Sequence, residues 1–237
     1  MLKIMVLNAK GGCGKTTIAT NLAACYASRG FYPALWDYDA QGTSSKWLDI
    51  RPEHVPPIHG IVAHKQKMTV TRSWQMRMPS KVDRVIIDTP AAVENQDLAN
   101  HVKQANVIII PVLPSPIDIH ATTDFIKELL VIGKMRLSVK SSDDPRIAVV
   151  ANRVSDNTLI YQPLLSFLEG VNLPMIASLS DSHYYVHAFL EGVGIHELRD
   201  SRTQLLKKQW QPLLTWIDNP DIAADENQSS ADPRAIK

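Results

Sequence analysis

The chain has 237 residues and a mass of 26.4 kDa, and its 45% apolar and 21% charged residues are typical of globular proteins. No apolar run approaches the roughly 20 residues that a membrane-spanning helix needs. The two cysteines, Cys13 and Cys25, exclude a disulfide framework and a four-thiolate metal site. These features predict a soluble protein of the reduced cytoplasm.

The net charge of +1 conceals an uneven distribution. Residues 218–237 carry five acidic and two basic side chains, whereas residues 1–217 carry 19 acidic and 23 basic ones. The C-terminal stretch is also poor in large apolar residues, which favours disorder. We therefore expect one folded domain over residues 1–217 and an acidic, disordered tail over residues 218–237.

Short β-rich runs alternate with helical patterns along the chain. We predict strands at 2–7, 33–37, 82–88, 107–112, 147–151 and around 175–176, and helices at 15–29, 96–103, 119–135, 157–169, 184–191 and 202–217. Pro212 predicts a break in the last helix near Gln211. The alternation predicts an α/β fold, with a doubly wound, mainly parallel sheet and helices on both faces.

Polar residues collect at or just after the ends of the predicted strands. A glycine cluster follows the first strand, Asp37 ends the second and Asp39 comes after it, Asp88 ends the third and Asn152 follows a later one. Ligands bind at this edge of parallel α/β sheets, so we expect a site there. A strand-ending or turn-forming role is the alternative for Asp37, Asp88 and Asn152.

The strongest motif is Ala-Lys-Gly-Gly-Cys-Gly-Lys-Thr-Thr at residues 9–17, between a predicted strand and a predicted helix. Glycines allow backbone N–H groups to converge on an anion, and the helix N-terminus adds its positive dipole end. Lys15 can reach the β- and γ-phosphates of a nucleotide, and the Thr16 hydroxyl can bind Mg²⁺. The alternative is a glycine-rich turn with incidental lysines. Ala9 departs from the usual phosphate-loop pattern, and Lys10 is a second lysine.

Residues 10–17 resemble the deviant Walker A box of the ParA/MinD ATPases, a family of the phosphate-loop class. Residues 37–42 are similar to the second box of that family, although Ala40 stands where proline is common. Residues 86–90 are similar to its Walker B segment, and residues 152–153 to its adenine-side asparagine motif. Order and spacing match over residues 2–200.

The resemblance implies an ATP hydrolase of weak intrinsic activity that forms ADP and phosphate. Asp39 would help to place the attacking water, and Lys10 would reach across a homodimer to the nucleotide of the partner. Mg²⁺ would be held by Thr16 and, through water, by Asp88. The implied catalytic residues are Lys10, Lys15 and Asp39, and the implied nucleotide-binding residues are Lys10, Gly11, Gly12, Cys13, Gly14, Lys15, Thr16, Thr17 and Asn152.

Other sequence features discriminate between branches of the resembled family. The acidic terminus lacks the amphipathic helix of membrane-bound members, and no cysteines for an iron–sulfur cluster follow Asp88. A phosphate loop beginning at residue 10 leaves no expected room for a preceding DNA-binding domain. We therefore expect a partition-type ATPase that binds DNA non-specifically as an ATP dimer, associates with the cytoplasmic nucleoid and not with membranes, and positions a cargo through a ParB-like or cargo-specific adaptor.

Two other functions remain open, namely a nucleotide-switched scaffold for cell-envelope synthesis and a metabolic ATPase without DNA binding. Non-specific DNA binding requires cations directed at phosphates. The candidate side chains are Arg199, Arg202, Lys207 and Lys208, next to Leu206, Trp210, Leu213 and Ile217, which we expect in the core. An ordinary solvated helix face is the alternative. A second basic stretch, residues 64–84, is a DNA or adaptor surface or a polar strand pair.

Overall fold

The protein is described from a computed structural model that covers residues 1–63, 78–91, 98–99, 102–103, 105–134, 145–155 and 158–219. The strands are β1 (Leu2–Val6), β2 (Pro33–Asp37), β3 (His59–Val62), β4 (Arg84–Asp88), β5 (Val107–Val112), β6 (Arg146–Val154) and β7 (Met175–Ser180). The α-helices are α1 (Lys15–Ser28), α2 (Thr43–Asp49), α3 (Pro116–Lys134), α4 (Gln162–Gly170), α5 (His183–Leu190), α6 (Gln204–Gln209) and α7 (Gln211–Asp218). Two 3₁₀ turns occupy Thr158–Tyr161 and Ser201–Thr203.

Within this part of the chain, seven strands form one sheet in the order β3-β2-β4-β1-β5-β6-β7. Every neighbouring pair is parallel. The carboxyl ends of the strands therefore share one edge, and β1 lies at the centre between β4 and β5. The predicted α/β class with a parallel sheet is confirmed.

Each face of the sheet carries its own apolar core, as expected when helices cover both sides of a parallel sheet. On one face, Ile4 and Val6 of β1 pack with helix α1 and with the C-terminal helices α6 and α7. On the other face, Met5 of β1 packs with helices α3 and α4. Alternate residues of β1 thus point into opposite cores.

Most predicted strands are confirmed, whereas helix α2 and strand β3 were not predicted. The α2 segment begins Thr-Ser-Ser, which lacks the apolar periodicity of a helix, and β3 has a single buried residue, Ile61. Strand β6 continues to Val154, so Asn152 lies within the strand and not after it, contrary to the prediction. Much of the predicted helix 96–103, most of the basic stretch 64–84, and residues 220–237 of the predicted tail lie outside the described residues.

The C-terminal segment is interrupted, as Pro212 predicts. Helix α6 ends at Gln209, and Pro212 occupies the first turn of α7, where its missing N–H breaks no hydrogen bond. The predicted core positions Leu206, Trp210, Leu213 and Ile217 are all buried. None of the helices within the described ranges is long and apolar enough to cross a membrane.

Charged side chains attach helix α7 to the amino-terminal edge of the sheet. The Arg146 guanidinium, at the start of β6, donates hydrogen bonds of 2.7 Å to the carbonyl oxygens of Trp216 and Ile217. Asp218 accepts hydrogen bonds from the Tyr26 hydroxyl at 3.1 Å and from Arg29 at 3.0 Å. Because cations near a helix C-terminus satisfy its free carbonyls, Arg146 fixes the end of α7 against the sheet.

His196 gives the fold a specific sensitivity to acid. Neither ring nitrogen has a hydrogen-bond partner among the described residues, and the ring packs edge-on against Trp210 with centroids 5.9 Å apart. Burial, with a smaller contribution from Lys207 and Arg29, lowers the pKa of His196 to about 4. The folded protein therefore holds this imidazole neutral at pH values where the unfolded chain takes up a proton.

We predict that the free energy of unfolding falls between pH 6.5 and pH 4, with His196 contributing about 1–2 kcal/mol of the loss at pH 5. Urea denaturation of the wild type and of His196→Gln at pH 7 and pH 5 measures this contribution. The matched control is His187→Gln, because His187 is exposed on helix α5. A pH dependence that is the same in wild type and His196→Gln would contradict the prediction.

Candidate phosphate-binding and catalytic site

The loop between β1 and α1 has the backbone shape of an anion cradle. Gly12 and Gly14 both adopt left-handed conformations, with φ of 77° and 97°. Helix α1 begins without a side-chain cap and without an acidic residue in its first turn, so its first N–H groups are free to receive an anion. A Cβ atom on Gly14 would lie 2.1 Å from the Asn152 amide nitrogen, so only glycine fits there.

The loop is closed on itself by contacts to one carbonyl oxygen. The Lys15 ammonium donates to the Lys10 carbonyl oxygen at 3.0 Å, and the Cys13 thiol donates to the same oxygen at 3.2 Å. Lys15 is buried, so its charge is directed into the loop and not into solvent. Burial also raises the pKa of Cys13, which keeps this side chain a thiol and agrees with a packing role.

Lys10 extends from the loop towards the start of helix α3. Its ammonium lies 3.4 Å from a carboxylate oxygen of Asp118, and its side chain is 38% exposed. Asp118 is in turn fixed by the Ser115 hydroxyl, which donates to it at 2.6 Å. The Asn8 amide oxygen accepts from the Lys10 N–H at 3.0 Å and orients this part of the backbone. In the single chain, the Lys10 charge is therefore paired within the same molecule.

Asp37, the last residue of β2, is a fully hydrogen-bonded buried carboxylate. It accepts bonds from the Asp39 N–H at 3.0 Å, from the Ser45 N–H at 2.9 Å and from the Ser45 hydroxyl at 2.6 Å. Asp39 is half-buried and accepts from the Gln41 N–H. Asp37 thus joins the end of the strand to the first turn of helix α2 and holds the backbone from which Asp39 projects.

Asp88, the register neighbour of Asp37 at the end of β4, has the opposite surroundings. Its carboxylate is completely buried, and neither oxygen has a hydrogen-bond partner in the described part of the chain. Burial raises the pKa of Asp88 to about 7, and the negative charges of Asp37 and Asp39 add to the rise. The nearby hydroxyls of Thr16 and Ser44 partly lower the pKa of Asp88, although neither forms a hydrogen bond of ordinary geometry with it.

These observations fit a magnesium ion that is bound together with nucleotide phosphates. A buried carboxylate without a partner is costly unless a cation neutralises it, and Thr16 and Asp88 offer the oxygen ligands that Mg²⁺ prefers. Within the described ranges, no group of three histidine, cysteine, aspartate or glutamate side chains could hold a metal alone.

Asn152 connects the phosphate loop to a neighbouring cavity. Its side-chain amide donates to the Cys13 carbonyl oxygen at 2.9 Å. A cavity of about 190 Å³ lies beside it. The lining residues are Thr17, Asn152, Arg153, Asp181, Ser182, Tyr185, Val186, Phe189 and Leu190.

The four basic candidates after residue 198 differ in their surroundings. Arg202 is engaged with Asp200, with nitrogen–oxygen distances of 2.6–3.0 Å. The Lys207 ammonium donates to the Leu198 carbonyl oxygen at 2.6 Å. Arg199 and Lys208 are exposed, and neither has a partner among the described residues.

A glycine loop between a central parallel strand and the helix after it is the arrangement of P-loop nucleotide-binding proteins, and it is the arrangement found in this chain. Residues 4–192 match the CobQ/CobB/MinD/ParA nucleotide binding domain, and the chain belongs to this family. The resemblance inferred from the sequence motifs is confirmed.

Similar proteins agree with this assignment. The chain is 28% identical over 196 residues to the maintenance of carboxysome distribution protein A of Halothiobacillus neapolitanus, covering 82% of this chain and 87% of the relative. The fold is similar to apo McdA of Cyanothece, with a TM-score of 0.67 and 16% identity over 90% of this chain and 99% of the other. It is also similar to MinD of Pyrococcus horikoshii in complex with Mg-ADP, with a TM-score of 0.62 and 17% identity over 86% and 92% of the two chains.

Sequence reasoning missed several residues of this site. No recognisable sequence motif surrounds Asp118 or Ser45. Their roles come from contacts with Lys10 and Asp37, which lie elsewhere in the sequence. Tyr185 and Phe189 did carry a signal, because they are spaced i, i+4 directly after β7 and so share one face of a short helix.

We predict opposite stability effects for the two buried aspartates. At pH 8, Asp88→Asn raises the free energy of unfolding of the nucleotide-free protein by about 1–3 kcal/mol, because it removes a buried, unpartnered charge. Asp37→Asn lowers it by a similar amount, because an amide cannot accept all three hydrogen bonds. Urea denaturation without nucleotide or metal measures both.

The pH dependence provides the control. A raised pKa means that the folded protein holds a proton on Asp88 that the unfolded chain has lost, so Asp88 costs most stability above pH 7 and least below pH 4. The gain from Asp88→Asn therefore shrinks as the pH falls. A loss of stability in Asp88→Asn at pH 8 would contradict the prediction.

Proposed function

We propose that the protein is an ATP-hydrolysing, ATP-dimerising ATPase that binds DNA non-specifically in its ATP form and positions a cargo through an adaptor. The observation that carries the nucleotide part is the Asp88 carboxylate, which has no partner in the described part of the chain and lies next to an uncapped helix N-terminus and a buried lysine. This arrangement suits a polyanion together with a divalent cation, which is the chemistry of Mg-ATP.

The residues of this chain divide the work of phosphoryl transfer. Lys15 and the backbone N–H groups of residues 12–16 bind phosphate oxygens, and Thr16 and Asp88 hold Mg²⁺, which supplies charge neutralisation. Asp39 orients the attacking water from a backbone that Asp37 holds in place. Lys10 exchanges Asp118 for the nucleotide of a partner subunit, so that two chains enclose two ATP molecules.

The nucleotide step is tested with two substitutions. Lys15→Ala removes the buried cation of the loop and abolishes ATP binding, measured by isothermal titration calorimetry. Asp39→Ala keeps ATP binding, lowers hydrolysis by about two orders of magnitude, and accumulates an ATP-bound dimer in size-exclusion chromatography. Lys127→Ala, on the exposed face of α3, is the control and behaves as wild type. A monomeric Asp39→Ala protein in ATP would contradict the dimer model.

A cleft beside helix α5 supports the proposal that the protein binds DNA. The cleft has a volume of about 400 Å³ and a mixed polar lining. Its walls include Arg199, which is unpaired within the described structure, and Lys208 lies exposed on the adjoining helix α6. Asp200 and Glu191 also line the cleft and weaken its attraction for phosphate, in keeping with weak and regulated DNA contact.

We predict that Arg199→Ala combined with Lys208→Ala weakens DNA binding several-fold and lowers the salt slope of the binding constant by about two per chain. The same changes at Arg202 and Lys207 have smaller direct effects, because those cations already have partners. Fluorescence anisotropy with a labelled duplex, in ATP and in ADP over a range of salt concentrations, measures this, with Lys127→Ala as control. Equal binding in ATP and ADP, or none in either, would reject DNA-based positioning and favour a nucleotide-switched scaffold.

The positioning role rests on the relatives. The relative in Halothiobacillus neapolitanus is named for the maintenance of carboxysome distribution, and a segment of this chain is 47% identical over 67 residues to the chromosome-partitioning ATPase Soj of Thermus thermophilus. Capture with the ATP-bound Asp39→Ala protein, compared with Lys15→Ala as bait, identifies the adaptor. A protein retained only by the ATP-bound form supports this role.

A further inference from the structure

A buried ion pair joins two segments that contribute no residue to the proposed nucleotide site. Arg51 follows helix α2, and Glu197 lies in the segment after helix α5. Their side chains are only 6% and 4% exposed. The Arg51 guanidinium donates to both Glu197 carboxylate oxygens and also to the carbonyl oxygens of Gly192 and Pro56. It lies 5.3 Å from the centre of the Trp47 ring.

Residues 192–197, which we call the clamped segment, are held from three directions. Arg51 holds them from the end of α2. The Asn21 side chain of α1 accepts from the Ile195 N–H at 2.7 Å, and it also donates to the Thr17 carbonyl oxygen. A Cβ atom on Gly192 would lie 2.6 Å from the Ile50 carbonyl oxygen, so backbone touches backbone.

The other end of helix α2 is tied to the catalytic side of the molecule. Ser45 in its first turn donates to Asp37 through both its N–H and its hydroxyl. Asp37 in turn accepts from the N–H of Asp39. Hydrogen bonds therefore connect Asp39, through Asp37, to the start of helix α2. The Arg51–Glu197 pair continues these contacts from the end of α2.

The clamped segment leads directly into the basic surface, by which we mean the side chains of Arg199, Arg202, Lys207 and Lys208. Arg199 follows Glu197 by two residues, and the Leu198 carbonyl oxygen binds the Lys207 ammonium at 2.6 Å. Glu197 is therefore close in sequence to Arg199, and the Leu198 carbonyl oxygen connects the same segment to helix α6. We infer that the buried Arg51–Glu197 pair is a positioning pair that communicates the nucleotide state of the Asp37–Asp39 segment to the basic surface after residue 198. This inference rests on the proposed function.

The experiment compares the wild type with a double variant, Arg51→Met with Glu197→Leu, which leaves no unpaired buried charge. A second variant, Glu197→Gln, preserves side-chain shape and is used if the double variant does not fold. The control, Arg29→Met with Asp218→Asn, removes a different ion pair, which joins the end of helix α1 to helix α7. Urea denaturation confirms that each protein is folded.

The readout is hydrogen exchange of residues 198–209 with Mg-AMPPNP and with Mg-ADP. In the wild type and in the control, we expect exchange to differ between the two nucleotides by about five-fold or more. In the double variant we expect exchange to differ between the two nucleotides by less than about two-fold, and in Glu197→Gln by an intermediate factor. Nucleotide affinity should stay close to the wild-type value in both variants. No nucleotide-dependent difference in the wild type, or a full difference in both variants, would overturn the inference.

DNA binding is measured separately by fluorescence anisotropy on the same proteins. If the hydrogen-exchange result holds and the wild type does not bind DNA, the proposed function fails while the coupling stands. If the wild type binds DNA better in ATP and the double variant does not discriminate between nucleotides, both stand. A purely structural pair would change stability without changing the ratio between nucleotides.

Discussion

The buried Asp88 carboxylate, which has no hydrogen-bond donor among the described residues, is the constraint on which the rest of the site depends. Asp88 lies at the end of a central strand, where the parallel sheet brings the glycine loop and helix α1 beside it. Burial raises the pKa of Asp88 to about 7, so ionisation of this carboxyl group carries an electrostatic cost that a bound cation would relieve. The apolar cores on both faces of the sheet stabilise the fold and offset this cost.

Asp37 shows why the same residue type at the neighbouring register position has a different role. Its oxygens are occupied by donors from residues 39 and 45, so it is a structural anchor and has little capacity left for a metal. The chemistry at the carboxyl edge of the sheet therefore depends on which aspartate already accepts hydrogen bonds from the protein. Asp39 is half-buried, and its backbone N–H donates to Asp37. A carboxylate that is fixed in this way and partly open to solvent suits a group that orients a water molecule.

The sequence predicted the parts of the fold that are governed by local pattern. Alternating apolar runs predicted the parallel sheet, and the spacing of Gly12, Gly14 and Lys15 predicted the loop, because these signals lie within short windows. Helix α2 escaped prediction because its stability comes from Ser45 binding Asp37 and from the buried Trp47, not from its own periodicity. The end of β6 was misplaced because Asn152 resembles a turn residue, whereas its partner, Cys13, is 139 residues away.

The fixed end of helix α7 has a consequence for how the chain is made. The core over helix α1 includes Trp210, Leu213 and Ile217, which are among the last described residues to leave the ribosome. Until they arrive, α1 and the phosphate loop beside it lack one wall of their packing. A nascent chain therefore carries its complete nucleotide motif before all the residues that pack against helix α1 are present.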